Sequence, residues 1–93
     1  MLEKTIENKL KELTEKCGGL CLKFVSPGTT GVPDRIIFTP TGKVIFVELK
    51  KPTGRESGRQ RFMADEMRTR GADIRVIKNL EDVKIFIDEV FGR

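Results

Sequence analysis

Two runs of strand-forming residues, Arg35 to Thr39 and Val44 to Lys50, are separated by little more than Pro40-Thr41-Gly42. A connection of that length and composition predicts a tight β-hairpin. Pro suits the first position of a type I turn, and Gly suits the left-handed position of the bulge that follows. No other feature constrains the chain as much, because a hairpin with a defined loop fixes its own register. With Pro40-Thr41-Gly42 as the loop, Thr39 pairs with Lys43, and counting outward along both strands sets Asp34 opposite Glu48. A two-residue loop would put Arg35 there instead.

Directly opposed residues project to the same face with Cβ atoms ~4.5–5.5 Å apart, and like charges there repel. Asp34 facing Glu48 therefore calls for a cation between them. Lys50, two residues beyond Glu48, projects to that face by the strand period of two. The expected constellation is Asp34, Glu48 and Lys50 at one sheet edge: two hard oxygen ligands suited to Mg²⁺ or Mn²⁺, with an ammonium beside them. Such an ion can activate water, and the ion and Lys50 together can stabilise charge on a phosphate under attack. Each part alone is ordinary, since Glu-x-Lys on a strand usually marks a solvated face and Pro33-Asp34 is a turn-initiating pair. Their combination across one hairpin is more specific than either.

Composition narrows the chemistry further. The chain has no His, no Tyr and no Trp. That excludes a Ser-His-Asp or Cys-His nucleophile, an imidazole base, a His-ligated zinc and a tyrosine nucleophile. Any catalysis must rest on carboxylates, lysine and hydroxyls, with or without a bound metal, and no small-molecule cofactor is implied. Eighteen Lys and Arg against fourteen Asp and Glu leave a net charge of +4, which favours a polyanionic partner. Cys17 and Cys21 have no further Cys or His to complete a zinc tetrahedron and read as reduced thiols in a cytoplasmic protein. The opening MLEKTIENKLKEL has no long apolar core, and Val44–Val47 is far too short to span a bilayer, so neither secretion nor membrane insertion is expected.

The 93 residues, 38% hydrophobic and 34% charged, read as one globular domain over 1–93. Ile6, Leu10, Leu13 and Cys17 form the stripe of a first helix, roughly 2–16, ended by Gly18-Gly19. Leu20 to Val25 is a short strand followed by the glycine-rich loop Ser26–Gly31. Ser57 and Gln60 have capping-box spacing ahead of a helix with Met63, Ala64 and Met67 on one face, ended by Gly71. Asp73 to Ile77 is a fourth strand, and Asn79 can cap a last helix carrying Val83, Phe86, Ile87 and Val90. The order αβββαβα implies an antiparallel meander of three strands, a parallel fourth and helices packed on a mixed α/β sheet.

Gly31-Val32-Pro33-Asp34-Arg35, then Val47-Glu48-Leu49-Lys50-Lys51-Pro52, then Gln60, resembles the PD-(D/E)xK nuclease superfamily and in particular its VRR-NUC branch, the virus-type replication-repair nucleases in their stand-alone phage form. The resemblance runs from the first helix to the last strand. It implies a restriction-endonuclease-like fold, an αβββαβ core to which this chain adds a C-terminal helix, and a metal-dependent endonuclease with Asp34, Glu48, Lys50 and Gln60 as catalytic residues. A Glu of the first helix joins the metal site in such families; Glu7 matches better than Glu3, and a solvated helix position is the plainer reading of either.

Lys23, Ser26, Arg35, Lys51, Arg55, Arg59 and Arg61 are candidates to meet DNA phosphates, although surface cations are more often simply solvated. Only Phe supplies aromatic rings, mostly at core-like positions, which argues against a single-strand stacking platform and for duplex or branched DNA. Four-way (Holliday) junctions need two cuts related by a two-fold axis, and a C2 homodimer supplies them. Stand-alone members of the branch are associated with that activity. Leu2, Ile6, Phe62, Ile85 and Phe91 lie at the margins of the helical stripes and can form the dimer patch or complete the monomer core. A catalytically silent DNA-binding module of the same fold and a small interaction protein are the competing readings.

Overall fold

A computed structural model describes residues 3–51 and 53–92. Helix α1 (Glu3–Lys16) leads into β1 (Leu20–Lys23), β2 (Arg35–Phe38) and β3 (Val44–Leu49), followed by α2 (Gly58–Thr69), β4 (Asp73–Ile77) and α3 (Leu80–Phe91). This is the expected αβββαβα order. The four strands form one sheet in the order β1-β2-β3-β4, with the first three antiparallel and β4 parallel to β3.

The hairpin is three residues long. Thr39 N–H donates to the Lys43 carbonyl at 2.9 Å, and Gly42 takes φ +91°, which an L side chain resists. Arg35 consequently faces Val47, Ile37 faces Ile45 and Phe38 faces Val44, so the register with Arg35 opposite Glu48 is ruled out.

The two faces of the sheet differ. On one, Cys21, Ile37, Ile45, Val47, Leu49 and Ile77 pack with Ile6 and Leu10 of α1 and with Val83, Phe86, Ile87 and Val90 of α3 as the main core. The helical stripes read from the sequence are thus the buried ones. The other face carries Leu20, Leu22, Ile36, Phe38, Val44 and Phe46, because the register pairs them with one another. Helix α2 packs against β4, where Ala64 and Ile74 are buried. Leu20, Leu22, Phe38 and Val44 remain exposed.

That asymmetry corrects two expectations. Of the marginal apolar residues, Ile6 is wholly buried and Phe91 packs against the core, while Phe62 and Ile85 are exposed and Leu2 falls outside the described residues. Nor do most phenylalanines occupy the core: Phe86 alone is buried, and Phe24 and Phe46 pair at 5.4 Å between centroids on the open side of the sheet. The helical period identified the faces that helices bury. It carried no information on how much of the sheet a single crossover helix covers.

Candidate active site

The candidate residues meet where the C-terminal end of β3 passes the start of α2. This is an interior position rather than a sheet edge, because β4 pairs with the far side of β3 and sets Val76 beside Glu48. Asp34 precedes β2 by one residue, where the chain leaves the ladder. Its N–H donates to the Val47 carbonyl at 3.1 Å, and its Oδ2 accepts the Leu49 N–H at 2.8 Å, doing the work of a backbone carbonyl. One carboxylate oxygen is thereby fixed against the strand that carries Glu48.

Glu48 is only 1% exposed, and its Oε2 has no hydrogen-bond partner. Burial above all, with the neighbouring Glu56 and Asp34 carboxyl groups adding to it and Lys50 opposing, pushes its carboxyl up to about 8. At neutral pH, without a cation, Glu48 therefore holds a proton. A buried carboxyl oxygen with no partner is costly to leave in place, and it is the donor that a hard cation would satisfy.

Lys50 is positioned by the cap of α2. Its Nζ donates to Gln60 Oε1 at 2.6 Å, and the same oxygen accepts the Ser57 N–H at 2.9 Å. Ser57 Oγ accepts the Gln60 N–H at 3.1 Å, which completes the capping box. Gln60 thus serves the helix terminus and the ammonium together.

Glu7 and Arg35 form an ion pair that ties α1 to β2. Arg35 also donates to the Asp34 carbonyl at 3.0 Å and is 8% exposed. This departs from its expected place among the DNA-contacting residues, since its guanidinium is enclosed and holds Glu7 and the Asp34 backbone. Glu7 in turn is engaged with Arg35. Replacing Glu7 with Gln leaves Arg35 buried without a counter-charge. The expected loss is roughly 2 kcal/mol in chemical denaturation, less than the ~3–5 kcal/mol of a fully buried pair because Glu7 keeps about a third of its side chain in water.

Lys23, Lys51, Arg55, Arg59 and Arg61 are exposed, and Ser26 is half-buried in the loop. Arg59 Nε donates to the Thr30 carbonyl at 3.2 Å, and a Cβ on Gly31 would lie 2.7 Å from the Arg59 carbonyl, so the glycine-rich loop seats directly on α2. Arg55 and Arg61 line a cleft of about 280 Å³ with Glu56, Val76 and Lys78. Sequence reasoning passed over Glu56 and Lys78. Neither belongs to a helical or strand period, and only the pairing of β4 beside Glu48 brings them near the site.

Among the described residues, no group of three or more acidic or cysteine side chains is placed to hold one metal ion. That suits Mg²⁺, which retains several waters and takes one or two carboxylates, better than a cation enclosed by protein.

Residues 2–79 match the VRR-NUC domain family. The chain belongs to the VRR-NUC family. A solved VRR-NUC domain superposes with a TM-score of 0.89 at 29% identity, over 95% of this chain and 96% of that one. The fold is therefore the VRR-NUC fold, with a C-terminal helix. The chain is also similar to the protein named "Putative nuclease p44" of Acyrthosiphon pisum secondary endosymbiont phage 1, 54% identical over 50 residues. That stretch covers 54% of this chain and 54% of the phage protein, so the chain matches about half the length of that relative. Asp34, Glu48, Lys50 and Gln60 all lie within the family match. All of α3 lies beyond residue 79, yet Val83, Phe86, Ile87 and Val90 complete the core of this VRR-NUC domain. No helix among the described residues is long and apolar enough to cross a membrane.

Proposed function

We propose that this VRR-NUC domain is a Mg²⁺- or Mn²⁺-dependent endodeoxyribonuclease that acts in the cytoplasm on branched DNA, four-way junctions in particular. The observation that carries the reading is Glu48: a buried carboxyl with an unpartnered oxygen, beside Asp34 and close to a lysine held in place by Gln60. Asp34 and Glu48 would hold the cation. When bound, it supplies Lewis acidity, lowering the pKa of water and screening charge on the phosphate.

The remaining work falls to the chain. Lys50, oriented by Gln60, places a compact positive charge where the attacked phosphate gains negative charge. Asp34 is anchored to the Leu49 N–H, so its free oxygen has a defined position. Arg55, Arg61 and Lys78 line one cleft that meets backbone phosphates flanking the cut, with Lys23, Ser26, Lys51 and Arg59 as further contacts.

Cleavage of a fixed four-way junction with Mg²⁺, Mn²⁺, Ca²⁺ or excess chelator tests the reading. Mg²⁺ and Mn²⁺ should support turnover, whereas Ca²⁺, with its looser geometry, should support binding alone. Robust cutting in chelator refutes the metal requirement. DNA binding without cutting under every cation identifies a silent module of the same fold.

The domain acts as a C2 homodimer in this proposal, with the open sheet face rather than the helical margins as its interface. Leu20, Leu22, Phe38 and Val44 present an uncharged apolar surface that a second copy matches across a two-fold axis. Leu22→Glu is expected to give monomers by light scattering and to replace paired symmetric cuts with single nicks. A wild-type protein that is monomeric at micromolar concentration would remove the dimer and leave the nuclease.

A further inference from the structure

Helix α2 is fastened at both ends. Toward its C-terminus, Arg68 Nη2 donates to the Ile74 carbonyl of β4 at 2.8 Å. Its first turn rests on the loop that leads to Asp34. Gly31 lies so close to Arg59 that a Cβ would stand 2.7 Å from the Arg59 carbonyl and 2.9 Å from Arg59 Cγ. Beside that contact, Arg59 Nε donates to the Thr30 carbonyl at 3.2 Å. Gly31 also holds φ +88°, so a side chain there meets a backbone obstacle and a strained dihedral together. From Gly31 the chain reaches Asp34 through Val32 and the fully buried, φ-locked Pro33, a route with little slack.

The residue after Arg59 is Gln60, whose Oε1 accepts from Lys50 Nζ at 2.6 Å. Asp34 is not free to follow a displaced loop, because its N–H and its Oδ2 are both tied to β3, at Val47 and Leu49. A wider gap between Gly31 and Arg59 therefore falls on α2: the first turn moves, and Gln60 moves with it. We propose that Gly31 is a positioning residue for cleavage, its missing side chain letting α2 approach to the distance at which Gln60 reaches Lys50. The inference rests on the roles read above for Lys50 and Gln60, and it adds a residue that acts through Gln60 alone.

The test is a double-mutant cycle on the full chain with Gly31→Ala, Gln60→Ala and the pair, run with Mn²⁺ well below the melting temperature. Each single variant is expected to lower kcat for DNA cleavage by on the order of 10–10²-fold, the cost of a misplaced group, while KM stays within about twofold of the wild type. Mn²⁺ affinity by calorimetry should likewise stay within about twofold in Gly31→Ala, since Asp34 and Glu48 keep their places. In the pair, kcat should remain within about twofold of the slower single variant, because without the Gln60 amide the first turn has nothing left to misplace. Losses that multiply overturn the inference, as does wild-type kcat or weakened Mn²⁺ binding in Gly31→Ala. Should Gly31→Ala fail to fold, as its thermal melt would show, Arg59→Ala takes its place in the cycle. That change cuts the bond to Thr30, and its kcat, read at saturating DNA to set aside its own phosphate contact, should show the same shortfall from multiplication. A wild type that cuts no DNA with Mg²⁺ or Mn²⁺ overturns the nuclease reading and the inference together, whereas multiplicative losses from a wild type that cuts overturn the inference alone.

Discussion

Asp34→Asn and Glu48→Gln should each reduce junction cleavage by on the order of 10³-fold or more while leaving the fold intact, since a lost cation ligand removes several kcal/mol of transition-state stabilisation. Both changes preserve shape and delete a charge. Gln in place of Glu48 resembles the protonated form that burial favours at neutral pH. The pH dependence of stability follows with a definite sign. A carboxyl raised from 4.5 to about 8 keeps its proton in the folded chain after the unfolded chain has lost it, so metal-free stability falls as pH rises between those values. Glu48→Gln lacks that titration. In chelator its melting temperature should match the wild type near pH 4.5 and exceed it increasingly toward pH 8. Wild-type cleavage by either variant would sink the assignment of these two residues.

Lys50→Met should lower turnover by about 10²–10³-fold, the usual cost of removing one group aimed at developing charge. Unlike the carboxylate variants, it is expected to retain Mn²⁺ binding by calorimetry, because the ammonium is not a ligand. Met keeps much of the aliphatic stem, so lost packing does not account for the effect. Lys50→Arg is not expected to rescue: a planar fork cannot reproduce a compact ammonium held 2.6 Å from Gln60 Oε1. Abolished metal binding in Lys50→Met, or wild-type turnover, would mean that Lys50 does something else.

Much of this arrangement was legible because short-range rules produce it. Pro40-Thr41-Gly42 set the register, and Ser57 with Gln60 marked the start of α2. Asp73–Ile77 and the Asn79 cap emerged as read. What escaped notice depends on contacts distant in sequence. Arg35 looked like a cation next to a catalytic aspartate, and only the packing of α1 on the sheet reveals it as the buried partner of Glu7. Glu56 sits in an aperiodic connection, where neither the helical nor the strand period assigns a direction. The open face of β1 to β3 escaped for a related reason: alternation tells which residues share a face, not which face receives a helix.

The double duty of Gln60 links local fraying to chemistry. Helix ends open far more readily than helix centres, and the first turn of α2 is closed by the same oxygen that steers Lys50. A molecule whose cap has opened retains its core yet has released its ammonium, and under the role proposed for Lys50 the rate scales with the fraction of molecules with that turn closed. Thermal inactivation would then begin below the melting temperature of the sheet.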